Sequence, residues 1–142
     1  LEFRRVLFRS LTSPREFTTV STSAPTATTT FDFKTQGVLI STANTTSNIT
    51  LNFRGDSSTT LNSLMNTGDA WTGSLIVTNG STAYYVSTIQ VDGTTSGVTT
   101  KWSGGTAPAA GSASAADAYS FTISKTASST YTVYAAGPVK YA

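Results

Sequence analysis

In Tyr119-Ser-Phe-Thr-Ile-Ser-Lys-Thr-Ala-Ser-Ser-Thr-Tyr-Thr-Val-Tyr-Ala135 the large apolar side chains fall on every second residue. Tyr119, Phe121 and Ile123 alternate with Ser120, Thr122 and Ser124, and Tyr131, Val133 and Ala135 alternate with Thr132 and Tyr134. Successive side chains of a strand point to opposite faces, so each half predicts a strand with one buried and one wet face. The short polar stretch Thr126 to Ser129 joins them as a turn, which predicts an antiparallel hairpin.

The same period recurs upstream. Ile49, Leu51 and Phe53 alternate with Thr50 and Asn52, and Trp71, Gly73, Leu75 and Val77 lead to Asn79 and Gly80. Asn-Gly suits a type I′ turn, in which both central residues need positive φ, so a hairpin return through Tyr84 and Val86 is expected. The phase slips between Val86 and Ile89, which predicts a bulge, and Asp92-Gly93 turns the chain again toward Val98 and Trp102. Phe31 and Phe33 flank Asp32, and Val38, Leu39 and Ile40 follow a turn at Gln36-Gly37. Leu61, Leu64 and Met65 recur at helical spacing before Gly68, which predicts one short helix near 58–66 with a Ser or Asp cap and a glycine stop. The small-residue stretch from Trp102 to Asp117 reads as a surface loop. Eight to ten short strands at roughly ten-residue spacing predict an all-β fold, an antiparallel two-sheet β-sandwich of jelly-roll type spanning residues 31–142.

Composition agrees. Ser and Thr make up about a third of the chain, and charged residues only 11%. The chain has neither Cys nor His, which removes the strongest neutral-pH nucleophile, the usual general base and the commonest transition-metal ligand. No apolar run approaches the ~20 residues of a membrane span. Arg4, Arg5 and Arg9 against Glu2 account for the whole net charge of +2. From residue 11 onward the charges balance, so neither nucleic acid nor a membrane is expected as a partner.

Residues 1–10, Leu-Glu-Phe-Arg-Arg-Val-Leu-Phe-Arg-Ser, back-translate closely to a sequencing-library adapter. They are expected to be non-native, which points to an assembled environmental read and to the C-terminal part of a longer protein. Residues 11–30, rich in Ser, Thr and Pro, read as a linker or edge strand.

Asp32, Asp56, Asp69, Asp92 and Asp117 lie far apart, mostly in turns, where a carboxylate bonds to nearby backbone amides. Asp56 and Asp69 flank the helix and are the pair closest to an acid–base arrangement. No catalytic residue, metal ligand set or cofactor motif is expected. Trp102, at the lip of the long loop, and the adjacent Tyr84 and Tyr85 are the candidate binding residues, as a stacking platform for a sugar. Leu39, Ile76 and Tyr134 lie out of phase with their neighbours and are candidate exposed subunit contacts. The sequons at Asn44, Asn48 and Asn79 mark exposed turns.

The run Ile49-Thr-Leu-Asn-Phe-Arg-Gly, Thr-Asn-Gly-Ser-Thr-Ala-Tyr-Tyr from Thr78, Val91-Asp-Gly, Lys101-Trp-Ser-Gly-Gly-Thr-Ala-Pro and the final hairpin resemble, in that order, the C-terminal domain of tail-fibre-like virion structural proteins of marine, cyanophage-type tailed phages. The resemblance spans about residues 31–142. It implies a particle component, extracellular on the virion. Such a component acts by assembly as a homotrimer and with other virion proteins, and contacts a glycan of the host surface. The alternative is a carbohydrate-binding or adhesin-type β-sandwich module that uses Trp102 with Tyr84 or Tyr85.

Overall fold

A computed structural model describes residues 16–142; the adapter-like segment 1–10 and the first part of the region 11–30 lie outside the described residues. Among the described residues nine strands form: β1 Thr18–Ser21, β2 Thr28–Asp32, β3 Val38–Thr45, β4 Ile49–Arg54, β5 Ala70–Asn79, β6 Val86–Val91, β7 Val98–Trp102, β8 Ala116–Ala127 and β9 Thr130–Tyr141, with one α-helix, α1, at Leu61–Leu64 and a short 3-10 turn at Ser103–Gly105. The fold is all-β. The Thr-rich segment before residue 31 supplies an edge strand to each sheet, as β-branched residues fit a pleated surface.

The strands make two sheets, a six-stranded one in the order β1-β3-β5-β8-β9-β7 and a three-stranded one in the order β2-β4-β6. Up to β6 the chain visits the sheets alternately, odd strands in one and even strands in the other. Each strand lies parallel on the strand two before it: Thr18 faces Val38, Thr28 faces Thr50, and Val38 faces Ser74. This is a stack of three coils. Only β5–β8 and β8–β9 pair antiparallel, and β7 lies parallel to β9. The expected antiparallel jelly roll is therefore corrected: the small sheet is wholly parallel and the large one mixed. A chain that crosses between sheets after every strand returns to each sheet in the same direction.

Local chemistry explains the corrections. Asn79-Gly80 makes no hairpin, because β6 belongs to the other sheet and the segment after β5 is a crossover. The two-residue turn sits at Asp92 (φ 52) and Gly93 (φ 81), where Val91 and Thr94 exchange both backbone hydrogen bonds. The bulge falls where the phase slip placed it: Ile49 faces Val86 and Thr50 faces Thr88, so Ser87 is the extra residue. The helix is one turn long, not two. Thr60 caps it by accepting from the Ser63 amide, and extended Met65, not Gly68, ends it. Buried Lys125 donates to the carbonyls of Asn62 and Met65, which satisfies its C-terminal end. The Tyr119–Ala135 hairpin forms as read, with Ile123 opposite Val133.

One core lies between the sheets. Leu51, Phe53, Val86, Ile89 and Val91 of the small sheet meet Leu75, Val77, Tyr119, Phe121, Ile123 and Val133 of the large one. Coil stacking places Phe31 over Phe53, with ring centroids 5.6 Å apart, and Asp32 over Arg54, whose Nε donates to the carboxylate at 2.6 Å. Gly73 lies beneath Phe31 and Phe33; a Cβ there would come within 2.8 Å of Phe31 Cζ, so glycine is what lets the cluster close. Leu39, expected to be exposed, is buried in this core, while its neighbours Val38 and Ile40 take the opposite face.

Candidate functional site

The face of the six-stranded sheet turned away from the small sheet carries an apolar row. The register sets Val20 beside Ile40, Ile40 beside Ile76, Ile76 beside Ala118 and Ala118 beside Val139. Paired residues on adjacent strands point to the same side. Five strands thus align five apolar side chains over about 19 Å at the usual strand spacing. The middle of the row is half-buried by its neighbours, and its ends are open, with Val20 58% and Val139 54% exposed. Ile76 belongs to this face as expected, and so does Tyr134, which is 52% exposed.

Beside the row, small side chains leave a groove of about 470 Å³, floored by Ser74, Ser120 and Thr122 and walled by Tyr134, Lys101 and Glu16. Trp102 reaches its rim but also packs against the core, at the end of edge strand β7. Tyr84 and Tyr85 lie in the crossover between β5 and β6, half-buried, and Tyr84 lines a separate cavity of about 290 Å³ with Asn44 and Gly80. The three aromatics named from the sequence are thus not brought into one groove. Tyr134, on the exposed face of β9, is the aromatic that shares the larger groove with Trp102. Its place in the alternation, opposite in phase to Tyr131 and Val133, was the signal for it.

Sequence reasoning missed Asn79. Its side-chain amide donates to Tyr84 O and to Asp117 Oδ2, both at 3.0 Å, and its Oδ1 accepts from the Tyr84 amide. Asp117, fully buried, also accepts from the Ser112 amide at 2.7 Å, while its Oδ1 meets no partner among the described residues. One amide and one carboxylate therefore pin both the β5–β6 crossover and the loop before β8. The approach is close: a Cβ on Gly111 would lie 2.1 Å from Tyr84 O.

The remaining carboxylates also hold structure. Asp56 pairs with Lys34 and accepts from the Ser58 amide; the lysine contact first, then that amide, holds its carboxyl well below the usual range. Asp69 accepts from the Asn66 amide, and Asp92 accepts from the amides of Leu61 and Asn62 across the fold. Asp32 holds Arg54 charged, chiefly through their hydrogen bond, against the opposing effect of burial. Asp56 and Asp69, the pair the sequence put nearest to acid–base work, are each engaged with other partners. Among the described residues no three carboxylates gather as a metal site would require, and no helix is long and apolar enough to cross a membrane. No family model, curated protein or solved structure matches the chain.

Proposed function

We propose that this chain is a structural contact domain of a virion, of the kind carried at the end of tail-fibre-like appendages, and that it acts by assembly on the outside of the particle. The observation that carries the reading is the open sheet face with its row Val20, Ile40, Ile76, Ala118 and Val139. A sheet face with aliphatic side chains in register across five strands gains free energy from being covered, at roughly 25 cal/mol per Å² of apolar surface removed from water. The deployment of all five aspartates in bonds to backbone amides and in two ion pairs supports a role in contact, not in bond making or breaking. Light scattering on the full chain is expected to give a mass of more than one copy. Ile76→Lys is expected to lower that mass while leaving the circular dichroism unchanged. A monomer at every concentration, or turnover of any substrate, overturns the proposal.

The groove beside Tyr134 and Trp102, floored by serine and threonine hydroxyls, favours a second reading, in which the same face holds a host-surface glycan. Glycan-array binding by a monomeric protein, lost in both Trp102→Ala and Tyr134→Ala, would favour this module over assembly.

A further inference from the structure

Of the six asparagines in the chain, Asn79 alone is followed by glycine. That dipeptide carries a reaction of its own. The Gly80 amide nitrogen attacks Asn79 Cγ, its proton leaves with the side-chain nitrogen as ammonia, and one water then opens the five-membered imide. Opening at the side-chain carbonyl gives aspartate. Opening at the main-chain carbonyl gives isoaspartate, in which the backbone runs through Cγ and is one methylene longer. Glycine permits the attack because no side chain shields its nitrogen and its backbone turns freely.

The fold withholds the conditions for this reaction. Asn79 is 2% exposed and ends β5 in extended backbone, paired with Thr45 of β3. Its Nδ2 donates to Tyr84 O and to Asp117 Oδ2, and its Oδ1 accepts from the Tyr84 amide, so Cγ reaches the Gly80 nitrogen only after three bonds break. The main chain is pinned on both sides of the reacting peptide as well. The Asn79 amide donates to Ala115 O at 2.9 Å, and Gly80 O accepts from the Ser114 amide at 2.7 Å.

Neither product fits the site that Asn79 leaves. Aspartate takes the donor away from Tyr84 O and sets a second carboxylate 3.0 Å from Asp117, which is fully buried and has one oxygen, Oδ1, without a partner among the described residues. Two like charges repel strongly where water does not screen them. Lys140, opposite Asp117 on β9, is exposed and forms no ion pair with it among the described residues. Isoaspartate lengthens the backbone between the Ala115 and Ser114 bonds, which fix its span.

We propose that Asn79-Gly80 is a self-modification site whose reaction is blocked by folding and whose products block refolding, so that a copy held unfolded is retired irreversibly. The inference goes beyond the assembly reading and does not depend on it.

The test is to incubate the full chain at neutral pH, native and in urea. Peptide masses follow the exchange of –NH2 for –OH, and circular dichroism follows what refolds once the urea is removed. Asn79 is expected to be the first asparagine modified in urea. In the native chain it is expected to react roughly a hundredfold more slowly, because a site reached only by opening reacts in proportion to its open population. The refolded signal is expected to fall in step with the unmodified fraction. Gly80→Ala, whose Cβ would come nearest the end of the Asn44 side chain, 3.1 Å from Nδ2, is expected to refold after the same incubation. Asn79→Asp, made directly, is expected to unfold at a lower urea concentration than Asn79→Ala, which separates the added charge from the lost bonds. Equal modification rates in native and unfolded chains overturn the inference, and so do modified chains that refold like unmodified ones. A Gly80→Ala chain that loses refolding as fast as the unmodified chain, or an Asn79→Asp chain at least as stable as Asn79→Ala, overturns it too.

Discussion

The Asn79 amide donates to the buried Asp117 carboxylate at 3.0 Å, tying the last residue of β5 to the second of β8. Replacement of Asn79 by Ala removes this bond and both bonds to Tyr84, leaving a buried carboxylate with the Ser112 amide alone. The expected cost is roughly 3 kcal/mol, read as a lowered midpoint in urea with an unchanged slope. A loss below about 1 kcal/mol would mean that the crossover is held by other contacts.

Asp92 does two jobs at once. It occupies the left-handed region in the turn after β6, and its carboxylate accepts from the amides of Leu61 at 2.6 Å and Asn62 at 2.9 Å. Asp92→Ala is expected to cost roughly 2 kcal/mol, from the lost cap and the strained φ together. Asp92→Asn tolerates the backbone and is expected to lose about half as much. Proton shifts of the Leu61 and Asn62 amides, moving upfield in both variants, check the cap directly.

Carbon-detected titration of Asp56 is expected to place its midpoint well below an ordinary carboxylate's, because Lys34 and the Ser58 amide favour the charged form. Lys34→Gln should return much of the shift. A depressed carboxyl contributes stability above its unfolded value, lost as pH falls through the folded one. At this exposed site the effect on unfolding is expected to be small and to fade with added salt.

At the alkaline end, burial pushes both Tyr119 and Tyr131 up to about 12. The charge of Asp117 adds to the first and that of Asp92 to the second. The unfolded chain releases these protons near pH 10, so the folded state holds more protons above that point. The stability they supply is complete below pH 10 and is lost as pH rises through 12. Absorbance at 295 nm should show two of the six tyrosines ionising late, together with unfolding. Tyr119→Phe should remove one of them and cost about 1 kcal/mol at neutral pH, since the Val86 amide loses its acceptor.

What the sequence disclosed were the features whose causes lie close together in it. The β8–β9 hairpin needs only alternation and a turn between Ala127 and Thr130, and the bulge at Ser87 shows as a slipped phase within one strand. The coil stack has no such marker, because β1 reaches β3 and β2 reaches β4 across a whole coil. Its one trace was Thr-Phe-Asp at residues 30–32 against Asn-Phe-Arg at 52–54, a match of shape and opposite charge over 22 residues. Leu39 was misjudged for a related reason: in Val38-Leu39-Ile40 all three side chains are apolar, and only the register on Leu75 shows which one faces the core. Trp102, Tyr84 and Tyr85 were grouped by residue type, whereas the crossover and the edge of β7 hold them in different places. Asn79 escaped because a turn asparagine and a buried amide look alike until β8 brings Asp117 beside it.

The coil stack also bears on synthesis. Each parallel pair joins a strand to one translated earlier, so the first three coils can form in the order in which they leave the ribosome. Tyr119, Phe121, Ile123, Tyr131 and Val133, which extend the large-sheet wall of the core beyond Leu75 and Val77, arrive only with β8 and β9. A nascent chain halted after Trp102 lacks these side chains, and the edge of β5 that β8 would pair is left open. The last hairpin to leave the ribosome is thus the one that completes the core.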